Sequence, residues 1–278
     1  MNKYIRAVSS NYIFFLINTI FFLVITSLAV RIMGDELYGV WSILNSILIF
    51  SGVGMLGIGG VVNKFASEEH QVAASPVGIV SSAIVILLPV ALLVMLVLLL
   101  LRGWITAQFH LDSQLEAQFN TAMVFTAISV VPNFLGRIPQ GYLLSQLRNT
   151  LARSVEVGGS ILTWTGAVYL AYIGSDLKWM ALWGLVITLI GTATLFLTLY
   201  ASIGFHWHIQ PSLIKRMTSF SGYSFIESIA IVLFQHFDRI LVGLVLGPAA
   251  AGVYTIGTSV GLRITMVVGQ ASEVMIPY

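Results

Sequence analysis

Cysteine is absent from this 278-residue chain. A disulfide framework, an iron–sulfur site on thiolates and a thiol nucleophile are therefore excluded. Charge is scarce as well. Only 9% of residues are charged, against roughly 25% in a soluble domain, which rules out a soluble globular protein. The net charge of +2 is small and scattered, so there is no nucleic-acid surface. No GxxxxGK[ST] occurs, so the chain does not drive transport by hydrolysing ATP itself. No serine–histidine–acid cluster can be assembled, and an enzyme is not expected. His206-Trp-His208 is the one histidine pair that suggests a metal. Positions i and i+2 do not share a helical face, and no acid or cysteine completes a set. No metal and no cofactor is expected.

What is present is apolar: 58% of residues are hydrophobic, with a mean hydropathy of +0.94. Crossing a ~30 Å hydrocarbon core takes about 20 helical residues. Eight runs qualify, at 12–30, 40–62, 77–101, 120–144, 155–173, 179–203, 223–246 and 252–276. The first follows Lys3 and Arg6 and is followed by Ser27-Leu28-Ala29, as in a signal peptide. Its apolar stretch from Tyr12 to Val30 exceeds the ~7–15 residues of a signal core, so it reads as a retained first helix. Nothing alternates in the ~10-residue manner of a β-barrel. The expected fold is an all-α polytopic membrane protein.

Basic residues near helix ends set the orientation. With the N-terminus inside, Lys3, Arg6, Lys64, Arg148, Arg153, Lys215 and Arg216 are cytoplasmic, and Arg31, Arg102 and Lys178 are outside. The longest polar connection, His206 to Ser219, is expected on the cytoplasmic side and partly interfacial. Trp207 suits the headgroup level there, and Lys215 and Arg216 suit anionic lipid.

Two passages echo each other. Ile32-Met-Gly-Asp-Glu-Leu-Tyr-Gly-Val-Trp-Ser-Ile43 and Val245-Leu-Gly-Pro-Ala-Ala-Ala-Gly-Val-Tyr-Thr-Ile256 align at a constant offset of 213 residues. Gly34 falls on Gly247, Gly39 on Gly252, Val40 on Val253, Trp41 on Tyr254 and Ile43 on Ile256. Such self-similarity marks a structural unit that begins twice. Six crossings separate the two starts, so the units are parallel repeats about an axis along the membrane normal. A six-helix lobe over 1–213 is expected, followed by the first two helices of a second lobe over 214–278. On that reading the chain is a fragment or a truncated gene product, lacking roughly 150 residues of the second unit.

Gly52-Val-Gly54-Met-Leu-Gly57 matches the dinucleotide fingerprint literally but lies inside a span, without the strand that reading requires. Close packing or local flexibility accounts for it better. Gly243-xxx-Gly247 and Gly257-xxx-Gly261 are packing patterns. The intramembrane charges say more. Arg137, Arg239 and Arg263 lie within apolar spans. Each is expected to cost about 2.5–3.5 kcal/mol at a helix centre, and three unpaired approach ~10 kcal/mol. They must face a watery cavity, a counter-ion or an anionic ligand. Asn133, Arg137 and Gln140 share one face of the fourth span, at i, i+4 and i+7, with Pro132 and Pro139 flanking them in the same helix. Gln235, Asp238 and Arg239 share a face of the seventh span, and Arg263, Gln270 and Glu273 a stripe of the eighth. A polar lumen between the two units is expected; the plain alternative is structural pairing, such as Asp238 with Arg263. Glu227 and Glu273 lie toward the inner ends, whereas Asp238 is deeper and is the better proton or cation site.

Several of these stretches resemble a family. Arg31-Ile-Met-Gly-Asp-Glu-Leu-Tyr-Gly-Val-Trp is similar to the opening of polysaccharide-exporter and O-antigen flippases. So are Gly54-Met-Leu-Gly57 through Lys64-Phe-Ala, and Gln235-His-Phe-Asp-Arg-Ile-Leu-Val-Gly-Leu-Val-Leu-Gly-Pro with its following Gly-Val-Tyr. These belong to the multidrug/oligosaccharidyl-lipid/polysaccharide exporter superfamily. The resemblance implies alternating-access transfer of an undecaprenyl-pyrophosphate-linked oligosaccharide across the bacterial inner membrane. Arg137, Arg239 and Arg263 would hold the pyrophosphate, and Asn133, Gln140, Gln235 and Gln270 the glycan. Asp238, Glu273 and Glu227 would couple to H+ or Na+, with membrane lipid and the polymerase or ligase of a glycan pathway as partners. A cation-coupled exporter of organic cations is the runner-up. A membrane fragment that transports nothing is the third reading.

Overall fold

The computed structural model describes residues 3–55, 57–68, 75–109, 111–204, 207–258 and 261. Among these residues every regular element is a helix: α1 (Lys3–Ser51), a 3-10 turn (Gly52–Met55), α2 (Ile58–Ser67), α3 (Pro76–Ala107), α4 (Ser113–Ser145), α5 (Asn149–Tyr172), α6 (Leu177–Ile203), α7 (Pro211–Leu246) and α8 over 248–258. Four stretches are long and apolar enough to cross a membrane: Ile13–Met55, Pro76–Ala107, Ser113–Ser145 and Leu177–Ile203.

The first of the four holds 43 residues, which as a straight helix would run about 65 Å, roughly twice a hydrocarbon core. It is not straight. Gly34 takes φ 73°, ψ 169° inside α1, a conformation open to glycine because it has no Cβ. Phe22, before the break, and Trp41, after it, both pack edge-on against Trp164 of α5, at 5.7 and 6.3 Å between ring centroids. Those two residues would stand almost 30 Å apart on one continuous helix. The two arms of α1 therefore fold back on each other, as the expected first and second passes require.

The second pass differs from expectation. The span 40–62 was expected unbroken, but it ends at Ser51, passes through the 3-10 turn, and restarts at Ile58 after Gly57 in the left-handed conformation, φ 62°. The break coincides with the glycine run, and the chain is closely packed there: a side chain on Gly54 would stand 3.1 Å from Val94 and 3.2 Å from the Phe134 ring of α4.

α4 is the central helix. Of its most apolar window 56% is buried, against 11% for α3, whose Leu93 and Leu100 are 60% and 73% exposed as lipid-facing residues are. Lipid tails are as apolar as leucine, so small residues and close contacts hold membrane helices together. Gly141 of α4 sits on the backbone of Gly59 in α2. Thr192 of α6 donates its hydroxyl to the carbonyl of Pro132 at 2.8 Å, where Gly136 leaves it room.

The connection expected from His206 to Ser219 is shorter than that. Pro211 opens α7, and Leu213 and Met217, one turn apart, are buried against the cluster of Val62, Phe65 and Tyr142. This i, i+4 apolar pair seats a segment whose composition reads as polar. The expected boundary between 213 and 214 falls in the first turn of α7. At its far end Gly247 repeats the backbone of Gly34, with φ 87°, ψ 170°. Just past both breaks the chain touches itself reciprocally. A Cβ on Gly39 would run into the Pro248 carbonyl, and one on Gly252 would stand 3.1 Å from the Asp35 carbonyl and 3.2 Å from Gly39 Cα.

Candidate functional site

Two polar sites emerge among the helices. In the first, α4 contributes Asn133, Arg137 and Gln140 to one wall of a cavity of about 210 Å³. α5 supplies Glu156 and Ser160 opposite, and α6 closes it with Thr188 and Thr192. A second cavity of about 260 Å³ lies on the other side of Glu156 and Ser160, between α5 and the first arm of α1. Arg153 and Asn18 face it.

A charged relay joins the walls. Arg137 Nη1 donates to Gln140 Oε1 at 2.9 Å. Gln140 Nε2 donates in turn to Glu156 Oε2 at 3.1 Å, and the same oxygen accepts from Arg153 Nη1 at 2.8 Å. Arg137 Nη1 also lies 3.7 Å from Glu156 Oε1. One carboxylate thus stands between two guanidinium groups, and the charge of the trio is +1. The side chains of Arg137 and Glu156 remain 38% and 39% exposed. At that exposure an ion pair is worth at most about 1 kcal/mol, so its partners can be exchanged without unfolding the bundle.

The second site lies where α7 meets α8. Arg239 is buried, at 8% exposure, and stands close to Asp238, Tyr38 and Tyr254. Asp238 accepts from the Arg239 backbone N–H through Oδ1 and from the Tyr254 hydroxyl through Oδ2, both at 2.8 Å. Adjacent on a helix, Asp238 and Arg239 diverge by ~100°, and the aspartate turns to the tyrosine of α8.

The structure therefore brings Asn133, Arg137 and Gln140 together on one cavity and sets Asp238 and Arg239 apart; neither lines the cavity that Arg137 faces. That cavity lies among α4, α5 and α6, and α7 and α8 do not line it. Helical spacing tells which face a side chain takes, and leaves open which neighbour it meets. Gln235 and Glu227 fall on α7, but their side chains lie outside the described residues, as do Arg263, Gln270 and Glu273 entirely. Among the described residues no three histidines or carboxylates gather in a metal-binding group.

Sequence reasoning missed Glu156 and took Arg153 only as a charge at a helix end. A signal was available: Arg153, Glu156, Ser160 and Thr163 recur at i, i+3, i+7 and i+10, a polar stripe along one face of α5. That Glu156 meets Gln140, 16 residues away, depends on tertiary packing.

Four of the helical stretches are long and apolar enough for a membrane protein, and arginines border two polar cavities among the helices. A family model described as polysaccharide biosynthesis protein matches residues 30–278, and the chain belongs to that family. No curated protein and no solved structure matches the chain.

Proposed function

We propose that this polysaccharide-pathway protein is a flippase and not an enzyme, carrying an undecaprenyl-pyrophosphate-linked oligosaccharide across the bacterial inner membrane. The observation that carries the reading is Arg137: an arginine within an apolar helix, half-exposed on a polar cavity beside Glu156. A guanidinium fork binds phosphate oxygens in pairs and keeps its charge at any physiological pH. Asn133, Gln140, Ser160 and Thr188 around it offer the hydrogen-bonding groups a glycan needs. Arg137, Glu156 and Arg153 together carry a charge of +1, which disfavours an organic cation as cargo.

Alternating access between two parallel repeats is the motion this reading calls for. The matching breaks at Gly34 and Gly247, with the reciprocal contacts of Gly39 with Pro248 and Gly252 with Asp35, support a local two-fold axis between the two repeat starts. Gly34 and Gly247, Asp35 and Pro248, and Gly39 and Gly252 each stand at the 213-residue offset. Asp238, hydrogen-bonded across that junction to Tyr254, is the group through which H+ or Na+ would couple. The N-terminus is cytoplasmic on this reading.

Arg137→Ala is the test. Introduced with the full protein into a bacterium lacking its own flippase, the wild type should restore surface glycan. The variant, inserted in the membrane at equal level, should give less than a tenth of it, with the lipid-linked precursor accumulating on the inner leaflet. Undiminished surface glycan from a well-expressed Arg137→Ala protein would remove the pyrophosphate role.

A further inference from the structure

Glu156 is shared by two arginines, closely with Arg153 and loosely with Arg137. Its Oε2 is 2.8 Å from Arg153 Nη1, and its Oε1 is 3.7 Å from Arg137 Nη1. Among the described residues both arginines make their polar contacts through Nη1. Each guanidinium carries five N–H donors, so most of the donor capacity of both is unspent. Gln140 completes the circle by accepting from Arg137 and giving to Glu156. Asn18, across the second cavity, keeps its Oδ1 buried without a hydrogen-bond partner among the described residues.

Depth matters as much as contact. Arg137 lies eight residues, about 12 Å, from the end of α4 at Ser145, and Arg153 lies about 6 Å from the start of α5. Both are within two or three turns of the bundle end that carries Lys64, Arg148, Lys215 and Arg216. An anionic headgroup at that interface meets a basic rim first. Behind the rim it meets two arginines held by one carboxylate.

We propose that Glu156 occupies, in the empty protein, the seat of a diphosphate, and that the incoming anion displaces its carboxylate from Arg137 and Arg153. The inference rests on the flippase reading and deepens it by naming the residue that the substrate must exchange for. Carboxylate and phosphate present guanidinium with the same pair of oxygens, so the replacement keeps the arginines satisfied. An isolated charge-assisted bond would resist exchange. Here all three charged side chains are more than a third exposed, so water fills in during the swap.

The test is titration of the purified full chain in detergent with inorganic pyrophosphate and, separately, with farnesyl diphosphate, followed by calorimetry. Glu156→Gln keeps the shape and removes the competing charge, and should tighten diphosphate binding about tenfold. Arg153→Ala should weaken it by a similar factor. Glu116→Gln, which makes the same change in net charge at the opposite end of α4, should leave affinity as it is. Should Glu156→Gln melt well below the wild type, Glu156→Asp serves instead; its retracted carboxylate should tighten binding part of the way.

Tightening for both ligands means the headgroup alone is read, and tightening for farnesyl diphosphate only means a lipid site; either supports the exchange. Unchanged or weaker binding in Glu156→Gln overturns it, as does equal tightening in Glu116→Gln. If neither wild type nor Glu156→Gln binds either ligand, the exchange is again overturned, and the flippase reading is then judged separately by surface glycan in Arg137→Ala cells.

Discussion

Two places in this molecule set an arginine beside a carboxylate, and their surroundings differ. Around Glu156 the charges come from two helices, sit more than a third exposed and border two cavities. Around Asp238 the arginine is buried at 8%, the carboxylate is engaged by a backbone N–H and a tyrosine hydroxyl, and the glycine contact of Gly39 with Gly252 lies beside it. The same residue types thus serve opposite ends. Space and water next to a pair let it trade partners, whereas burial next to a close backbone contact makes it part of a joint. Removing a member of the joint should cost stability; removing a member of the cavity site should cost transport.

The largest stability loss is expected from Arg239→Leu. Taking one member from a buried charged group typically costs about 3–5 kcal/mol, and the partial exposure of Asp238 puts this case near the lower figure. Thermal unfolding in detergent should show it plainly, and an unchanged midpoint would mean that Arg239 faces solvent as Arg137 does. Gly39→Ala comes next. Its methyl group would meet the Pro248 carbonyl, a backbone atom with little room to move, and overpacking of this kind costs about 1–3 kcal/mol. Gly60→Ala, where a Cβ meets nothing within 4 Å, is the control and should be neutral or better. Equal effects from both substitutions would mean that the junction is loose.

How far these sites were readable from sequence follows from what each depends on. The Asn133, Arg137, Gln140 face was legible because helical periodicity alone groups residues at i, i+4 and i+7, and those three do line one cavity. The fold-back near Gly34 was legible because the runs 12–30 and 40–62 are each long enough to cross and are separated by Arg31, Asp35 and Glu36. Glu156 was not. It stands just inside the start of a helix, where an acid reads as an interfacial charge, and its partner on α4 is fixed only by packing. The break at Gly52–Gly57 was half legible: the glycines were noticed, but the Phe134 ring that exploits them comes from a helix some 80 residues later in the chain. The early start of α7 was missed because polar composition hid the buried Leu213 and Met217 pair.

Smaller effects separate the two sites more finely. Tyr254→Phe removes its hydrogen bond to Asp238 Oδ2 while keeping the ring, so about 1 kcal/mol of stability should go with it. Coupling should change too, if Asp238 takes up the ion, and flux measured against an imposed proton or sodium gradient would register it. A stability loss with gradient dependence unaltered would leave Asp238 as a structural acceptor.

The smallest change expected is the most telling. In a double-mutant cycle of Arg137→Ala and Glu156→Ala, the coupling energy read from unfolding midpoints should stay under about 1 kcal/mol, because the pair is wide at 3.7 Å and its side chains are 38% and 39% exposed. Gln140 sits between them, and in either single variant it can turn its amide to the residue that remains. A coupling of 3 kcal/mol or more would make the trio a structural element like the joint at Asp238, and would end the case for exchange. A coupling near zero together with lost surface glycan in Arg137→Ala cells would mean that the arginine's work is done on something other than the protein.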